Sequence, residues 1–383
     1  MASPVYLLRI TDWKDFESVA ARVGPFLAGI PLWNGLPEGR PAAVKLTFGE
    51  EGNRAYPPVP IVREIVSVLR ERGGLPFLTE TNTLYRGKRM NAVDHLELAA
   101  RHGFTIENVG APTILGDGLL GRQSFTVWPA SAPSVASAPS PPSARSSASA
   151  SSPVSTRVNG PIHLSPVLKD TGFLLGVAHV TGHLLTGFGG AIKNIGMGLA
   201  SRAGKLNMHS VVSPLVRTEK CTLCLGCASV CPAEAISPGE EAVVIDAAKC
   251  TGCAECLPAC PTGALGIDWS QDTRRVQERL AEYALAIADT VGRRMAFVNL
   301  LNHISDHCDC MGETPRTIAP DLGLLASRDP VALDQASIDL TAQAAGGNPF
   351  RLAWPEVECE VQLAHAEAIG LGTRHYELKE VLS

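Results

Sequence analysis

Two runs of four cysteines constrain this chain more than any other feature. Residues 221–232 read CTLCLGCASVCP and residues 250–261 read CTGCAECLPACP. Each is C-x2-C-x2-C-x3-C closed by a proline. C-x2-C pairs also build tetrahedral zinc sites, but two identical four-cysteine runs, each ending in Pro, suit a larger group. In runs of this spacing the first three cysteines hold one 4Fe–4S cluster and the fourth ligates the other. Cys221, Cys224, Cys227 and Cys260 are therefore expected around one cluster, and Cys250, Cys253, Cys256 and Cys231 around a second. A tight loop must aim three thiolates at three corners of a cube, and the proline then turns the chain away.

The 383 residues leave room for two or three domains and an ample core. A net charge of −5 gives no general attraction to nucleic acid or to an anionic membrane. The runs use eight of the eleven cysteines, leaving Cys308, Cys310 and Cys359, too few and too odd for a disulfide scaffold. Clusters and free thiols both point to a reducing compartment. The start, MASPVYLLRITDWKDF, has no cationic segment followed by an apolar one, and no apolar run is long enough to span a membrane. The expected location is the cytoplasm.

Along the chain, residues 1–128 alternate strand signals (5–10, 41–48, 75–79, 112–115 and 124–127) with helical periods (12–27, 60–72 and 91–102). That alternation predicts an α/β fold with a mostly parallel sheet. Residues 129–157, rich in Ser, Ala and Pro, predict a disordered insertion. Residues 158–216 return to the core with a glycine-rich lysine loop, 217–268 form the small α+β dicluster insert, and 269–383 resume the core. In that last part a helix at 271–287 is expected to carry Arg274, Arg275, Glu278, Arg279 and Glu282 on a charged outer face. Further strands are expected at 297–301, 321–325 and 376–382. Helices are expected at 330–345 and 357–369, the latter bearing a structural Cys359.

These stretches resemble an iron–sulfur family catalogued as domain of unknown function number 362, with an inserted ferredoxin-type domain of the bacterial two-cluster kind. The resemblance is carried by VKLTFGEEGN (44–53), TETNTLYRGKR (79–89), GHLLTGFGGAIKNIGMG (182–198), the cysteine runs, NHISDHCDC (302–310) and LLASRDPVALDQAS (324–337). It implies fold and cofactor but no reaction. Separately, GFGGAIKN (187–194) with its flanking histidines is similar to the Gly-Gly-x-x-Lys segment of nickel-pincer lactate racemases. There the resemblance implies a lysine that anchors the pincer and histidines that act as ligand and acid/base. The matching residues are Lys193, His183 and His209.

Glycines at 187, 189, 190, 196 and 198 let a backbone approach a ligand closely and offer N–H groups to an anion. The segment is neither a Walker A loop nor a G-x-G-x-x-G turn, so ATP and dinucleotides are unsupported. Lys193, with Gly189 and Gly190, is expected to meet an anionic substrate or cofactor; the alternative is a tight turn whose lysine pairs with a surface acid. His183 and His209 are candidate acid/base groups or ligands, and His179, four positions before His183, is a weaker one. His307, Cys308 and Cys310, with His303 nearby, are candidate ligands for a third metal ion at a strand's carboxyl end; the alternative is a pair of inert thiols. Lys45 and Asp334 are expected either to line the same crevice or to hold the fold together.

These residues together read as a redox enzyme. Electrons from a partner protein or small-molecule donor enter through two 4Fe–4S clusters and reach a site in the α/β domain that binds an anionic small molecule. The alternatives are a metal-dependent isomerase or racemase with structural clusters, and a non-catalytic electron carrier or delivery factor.

Overall fold

The computed structural model describes residues 2–128, 160–209, 213–267, 272–312 and 315–381. The insertion expected at 129–157 lies outside them. In chain order the strands are β1 (Ser3–Arg9), β2 (Pro41–Lys45), β3 (Leu75–Glu80), β4 (Thr113–Leu115), β5 (Phe125–Val127), β6 (Ile162–Leu164), β7 (Phe173–His183), β8 (Gly187–Gly189), β9 (Leu215–Val216), β10 (Ile236–Pro238), β11 (Val243–Ile245), β12 (Leu265–Gly266), β13 (Met295–Ser305), β14 (Gly323–Ser327) and β15 (Tyr376–Glu380). A nine-stranded sheet runs β15-β1-β14-β13-β7-β2-β3-β4, with β8 folded back on β7. The pairings β13·β7, β7·β2, β2·β3, β3·β4 and β1·β15 are parallel, while β14 lies antiparallel to both β1 and β13. The expected mostly parallel α/β sheet is present.

The centre of this sheet is apolar on both faces because helices cover both. Alternate residues of β7 and β13 enter different cores: Leu174, Phe297 and Leu301 one, and Phe173, Leu175, Val177 and Val298 the other. The second core lies under the helices Phe16–Gly29 and Val59–Glu71, and the first under Ala191–Gly198, Thr273–Thr290 and Pro330–Ala345. Side-chain caps start several helices where the sequence changes from strand to helix period. Asp15 accepts from the N–H of Glu17, Asn91 from Val93, and Asp329 from Val331.

The structure corrects three expectations. The strand at 41–48 ends at Lys45, so the following residues are free to shape a loop. Helix Thr273–Thr290 does carry Arg274 and Glu278 outward, but Arg279 and Glu282 are buried and paired at 2.5 Å, because the helix packs on Ala191–Gly198 and on Val361–Ala368. Cys359 lies in a turn ahead of helix Val361–Ala368, buried against Gly187, with Asn348 Nδ2 donating to its sulfur at 3.5 Å.

Residues 215–267 form a small lobe of repeated design. Every cysteine of its second run lies 29 positions after its counterpart. The local structure repeats with them: strand, cysteine loop, short helix (Gly226–Ser229 or Cys256–Ala259), strand. The first strand of one half pairs with the last of the other, β9 with β12 and β11 with β10. Left-handed residues fall at matching places, Leu223 and Leu225 in one loop and Gly252 and Ala254 in the other. A non-glycine residue there costs free energy, so the loops hold their shape against local preference. The lobe's core includes Leu84 and Leu206 of the main body, which seats it against the sheet.

Candidate functional site

The strands β3, β2, β7 and β13 run parallel, so their carboxyl ends share one edge of the sheet. Parallel α/β sheets form ligand crevices at that edge. Here the edge opens into a cavity of about 530 Å³. Lys45 ends β2, Glu80 ends β3, His179, Thr181 and His183 come from β7, and Cys308–Met311 lie just past β13; all line the cavity. A register shift between Leu300 and Ser305, with His303 at φ 45°, bends the end of β13. Bulges of this kind redirect the chain beyond a strand, and here they turn residues 308–311 inward. His179 and His183, four positions apart on β7, share a face through the two-residue period of a strand.

Lys193 stands on the first turn of helix Ala191–Gly198, not in a loop. The N–H groups of Ala191 and Ile192, expected to face an anion, donate instead to Asp334 at 2.7 and 2.9 Å. Asp334 is buried below the cavity, is also held by Asn299, and is pushed up to about 6 by burial. It caps the helix that positions Lys193. Gly190 makes room for it, since a Cβ there would lie 2.3 Å from Asp334 Oδ1. Those two N–H groups are therefore not free to meet an anion in the cavity.

Lys193 Nζ donates to Cys308 Sγ at 3.0 Å, and the Cys310 N–H lies 3.5 Å from the same sulfur. Interactions with Cys310, and then with Lys193, hold the Cys308 thiol well below the usual thiol range despite desolvation, while Cys308 and burial push Cys310 well above it. Desolvation alone would lower Lys193, but Cys308, Cys310 and Asp309 raise it. Asp309 accepts from His179 Nδ1 at 2.8 Å and, against the effect of burial, raises that imidazole. His183 Nδ1 accepts from the N–H groups of Leu185 and Thr186 at 3.2 and 3.3 Å, which leaves its proton on Nε2. Desolvation, Lys193 and His209 push His183 well down, and burial with Lys193 and Lys205 lowers His209 to about 4. Both histidines are neutral near pH 7.

Two further lysines complete the charge of the cavity. Lys45 Nζ donates to Leu46 O at 2.8 Å and Asn194 Oδ1 at 3.0 Å. It threads past Gly198, where a Cβ would sit 2.2 Å from its Cε. Lys205 donates to Thr81 Oγ1 and Asn82 O, both at 2.5 Å. Burial lowers each to about 8, opposed for Lys45 by Glu80 and for Lys205 by Asp117 and Glu80. Arg89 bonds both Glu50 and Glu80 at 3.3 Å, and His95 Nε2 lies 3.2 Å from Glu80. Lys193, Lys205, Lys45, Arg89 and the raised His179 outnumber the anionic groups around the cavity.

The structure thus gathers Lys193, His183, His209, Gly189, Gly190, Lys45, Cys308 and Cys310 into one cavity. It does not bring His307 there. His307 Nδ1 is 2.9 Å from Asp306 and its ring packs edge-on against Trp354, while His303 Nδ1 meets Thr317. His303 and His307 therefore do not line the cavity that Cys308 and Cys310 share. Glu80, Arg89, Tyr85, Thr81 and Lys205 also line the cavity. The signal for the first four was their place in TETNTLYRGKR, just after a strand; Lys205 carried none.

In the lobe, two cavities divide the eight cysteines. One is lined by Cys221, Cys224, Cys227 and Cys260, the other by Cys231, Cys250, Cys253 and Cys256. The fourth cysteine of each run is thus exchanged into the other set. Among the described residues no three His, Cys, Asp or Glu side chains close around a single ion. Four thiols lining one cavity are soft donors that would hold a group containing metal atoms. Apolar side chains (Leu225, Val243 and Leu265; Ile236 and Ile245) complete the two walls, and the N–H of Ala235 donates to Cys231 Sγ at 3.3 Å.

The lobe and the main cavity meet through residues 84–86. Leu84 belongs to both the lobe's core and the cavity wall. Tyr85 donates to Cys310 O at 3.1 Å, and Arg86 donates to Cys260 O at 2.8 Å and Pro261 O at 2.7 Å.

A family model described as Domain of unknown function (DUF362) matches residues 144–339, just over half of the chain. The chain belongs to the DUF362 family. The match covers Lys193, both cysteine runs and Cys308–Cys310, whereas the segments 44–53 and 79–89, expected to share the resemblance, lie before it. No sequence among curated proteins matches. Among solved structures, the lactate racemase apoprotein of Thermoanaerobacterium thermosaccharolyticum is similar at 11% identity and TM-score 0.40, over 89% of this chain and 57% of that one. A Thermotoga maritima protein from the Northeast Structural Genomics Consortium is similar at 12% identity and TM-score 0.43, over 88% and 60%. The chain thus spans less than two thirds of either, and both likenesses are too distant to transfer residues or activity. Among the described residues no helix is long and apolar enough to cross a membrane.

Proposed function

We propose that this DUF362 protein is an iron–sulfur redox enzyme that delivers electrons to an anionic small molecule held in the main cavity. The observation that carries the reading is the four-and-four division of the lobe's cysteines, with the fourth of each run exchanged. Cys221, Cys224, Cys227 and Cys260 would hold one 4Fe–4S cluster, and Cys250, Cys253, Cys256 and Cys231 the other. When bound, such clusters supply single electrons. The chain's own residues do the rest. Lys193, Lys205 and Lys45 bind and orient the anion, neutral His183 and His209 accept or give a proton, and Leu84–Arg86 join lobe to cavity. The electron donor is a one-electron carrier.

Single substitutions test the exchange. Cys231→Ser is expected to lower bound iron from about eight to about four per chain and to leave the same electron paramagnetic resonance signal as Cys250→Ser. Cys260→Ser should match Cys221→Ser instead. If Cys231→Ser matched Cys221→Ser, the two cluster sites would not be built this way.

Anion binding has a predictable pH dependence. Lys45 and Lys205, each lowered to about 8, are charged below that value and neutral above it. A bound anion raises both, so affinity is full below about pH 8 and falls as pH rises through it. Calorimetric titration with a small dicarboxylate at pH 6.5 and pH 9.5 checks this; equal affinities would remove both lysines from the site.

A second reading, an isomerase acting by proton transfer, is favoured by the gathering of Lys193, His183 and His209 in one cavity. It predicts solvent deuterium entering a substrate with no electron donor present, which the redox reading does not.

A further inference from the structure

We propose that Cys308 and Cys310 form a redox-active dithiol that reduces an anionic disulfide in the main cavity and is then restored by two single electrons. The inference deepens the proposed function and rests on it only for the source of those electrons.

The geometry has four parts. Both cysteines line the cavity. The Cys310 N–H lies 3.5 Å from Cys308 Sγ, so the chain folds residue 310 back around that sulfur. Lys193 Nζ sits 3.0 Å from Cys308 Sγ, where it stabilises a thiolate and occupies a place a metal cation would need. Tyr85 holds the carbonyl of Cys310, and the next residue, Arg86, holds that of Cys260 in the lobe. The lowered Cys308 and raised Cys310 are the pattern of an attacking thiolate beside a resolving thiol.

The chemistry balances in two stages. Cys308 thiolate attacks R–S–S–R, forming a mixed disulfide and releasing R–S⁻. Cys310 then gives up its proton and attacks the Cys308 sulfur. The S–S bond between them forms, and the second R–S⁻ leaves and takes that proton. Restoration breaks the Cys308–Cys310 bond with two electrons, one at a time from reduced iron–sulfur centres, and one proton. The proton goes to Cys310, and Cys308 remains a thiolate against Lys193. The cationic cavity selects an anionic disulfide over a cationic one.

The test uses cluster-loaded protein under anaerobic conditions, with oxidised glutathione as the anionic disulfide and cystamine as a cationic one. After an acid quench and alkylation, the tryptic peptide 295–316 contains Cys308 and Cys310 and no other cysteine. With oxidised glutathione this peptide is expected to lose two hydrogens in mass and take up no label. Cystamine should act at least about tenfold more slowly. Dithionite should then restore two labels in wild-type protein, and do so at least about tenfold more slowly in folded Cys224→Ser/Cys253→Ser protein, where dithiothreitol still works as a control.

A peptide that takes up two labels after every oxidised glutathione treatment overturns the inference. So does a metal ion near one per chain that Cys308→Ala/Cys310→Ala protein lacks, and so does cystamine acting as fast as oxidised glutathione. A disulfide that forms in protein with no bound iron, with dithionite equally effective in both proteins, would uphold the dithiol and sink the proposed function instead.

Discussion

Glu80→Gln is expected to cost about 3–5 kcal/mol of folding stability, the range for breaking a buried ion pair. Glu80 is 7% exposed and its carboxylate meets Arg89 at 3.3 Å, His95 at 3.2 Å and Lys45 at 3.8 Å. The amide would leave Lys45 with no carboxylate and Arg89 with only Glu50. Urea denaturation of both proteins at pH 7 measures the difference; a loss under about 1 kcal/mol would mean that the cations relax into solvent. Burial alone would raise Glu80, but Lys45, Arg89 and His95 hold it far below the usual carboxylate value. A lowered carboxylate contributes stability that is full above its unfolded value of about 4.3 and is lost as pH falls through the folded value. Wild-type protein should therefore lose stability below about pH 4 more steeply than the variant.

Lys193→Met is expected to raise the Cys308 thiol, because it removes the ammonium 3.0 Å from the sulfur. At a pH below the wild-type midpoint, alkylation of peptide 295–316 by iodoacetamide should slow by roughly tenfold or more, and the midpoint of its pH profile should move up. The interaction with Cys310 is the larger influence on Cys308, so Cys310→Ala should move the midpoint in the same direction. A profile unchanged by Lys193→Met would mean that the 3.0 Å contact does not hold the thiolate in solution. Circular dichroism guards against simple unfolding, since Asp334, which caps the same helix, is untouched by the change.

The residues behind these two effects differ in how far the sequence announces them. Cys308–Cys310 and Lys193 stood out from residue type and local glycine density, but their contact spans 115 positions in sequence. No local pattern could announce it. The inward turn of residues 308–311 depends on a register shift where β13 leaves β7, a matter of how two strands pair. His307, part of the set that C-x-C and nearby histidines suggested, does not line the main cavity. Arg279 and Glu282 followed the helical period of an exposed face, yet neighbouring helices cover that face and turn them into a buried pair. Lys205 gave no signal, and Glu80 only its place in TETNTLYRGKR, because a lone charge beside a strand or on a helix is ordinary in any soluble chain.

What the sequence determined by itself was everything carried by short-range spacing. The alternation of strand and helix periods set the α/β class, since the period of apolar residues is a property of each segment alone. The C-x2-C-x2-C-x3-C-P runs set the loops of the lobe, since three cysteines within seven residues share one tight turn. The tertiary structure decided which of these pieces face one another. It closed the helix N-terminus with Asp334, and brought four strand ends to one edge. Those outcomes depend on packing between segments far apart in the chain, where burial and charge are set by neighbours that no local window contains.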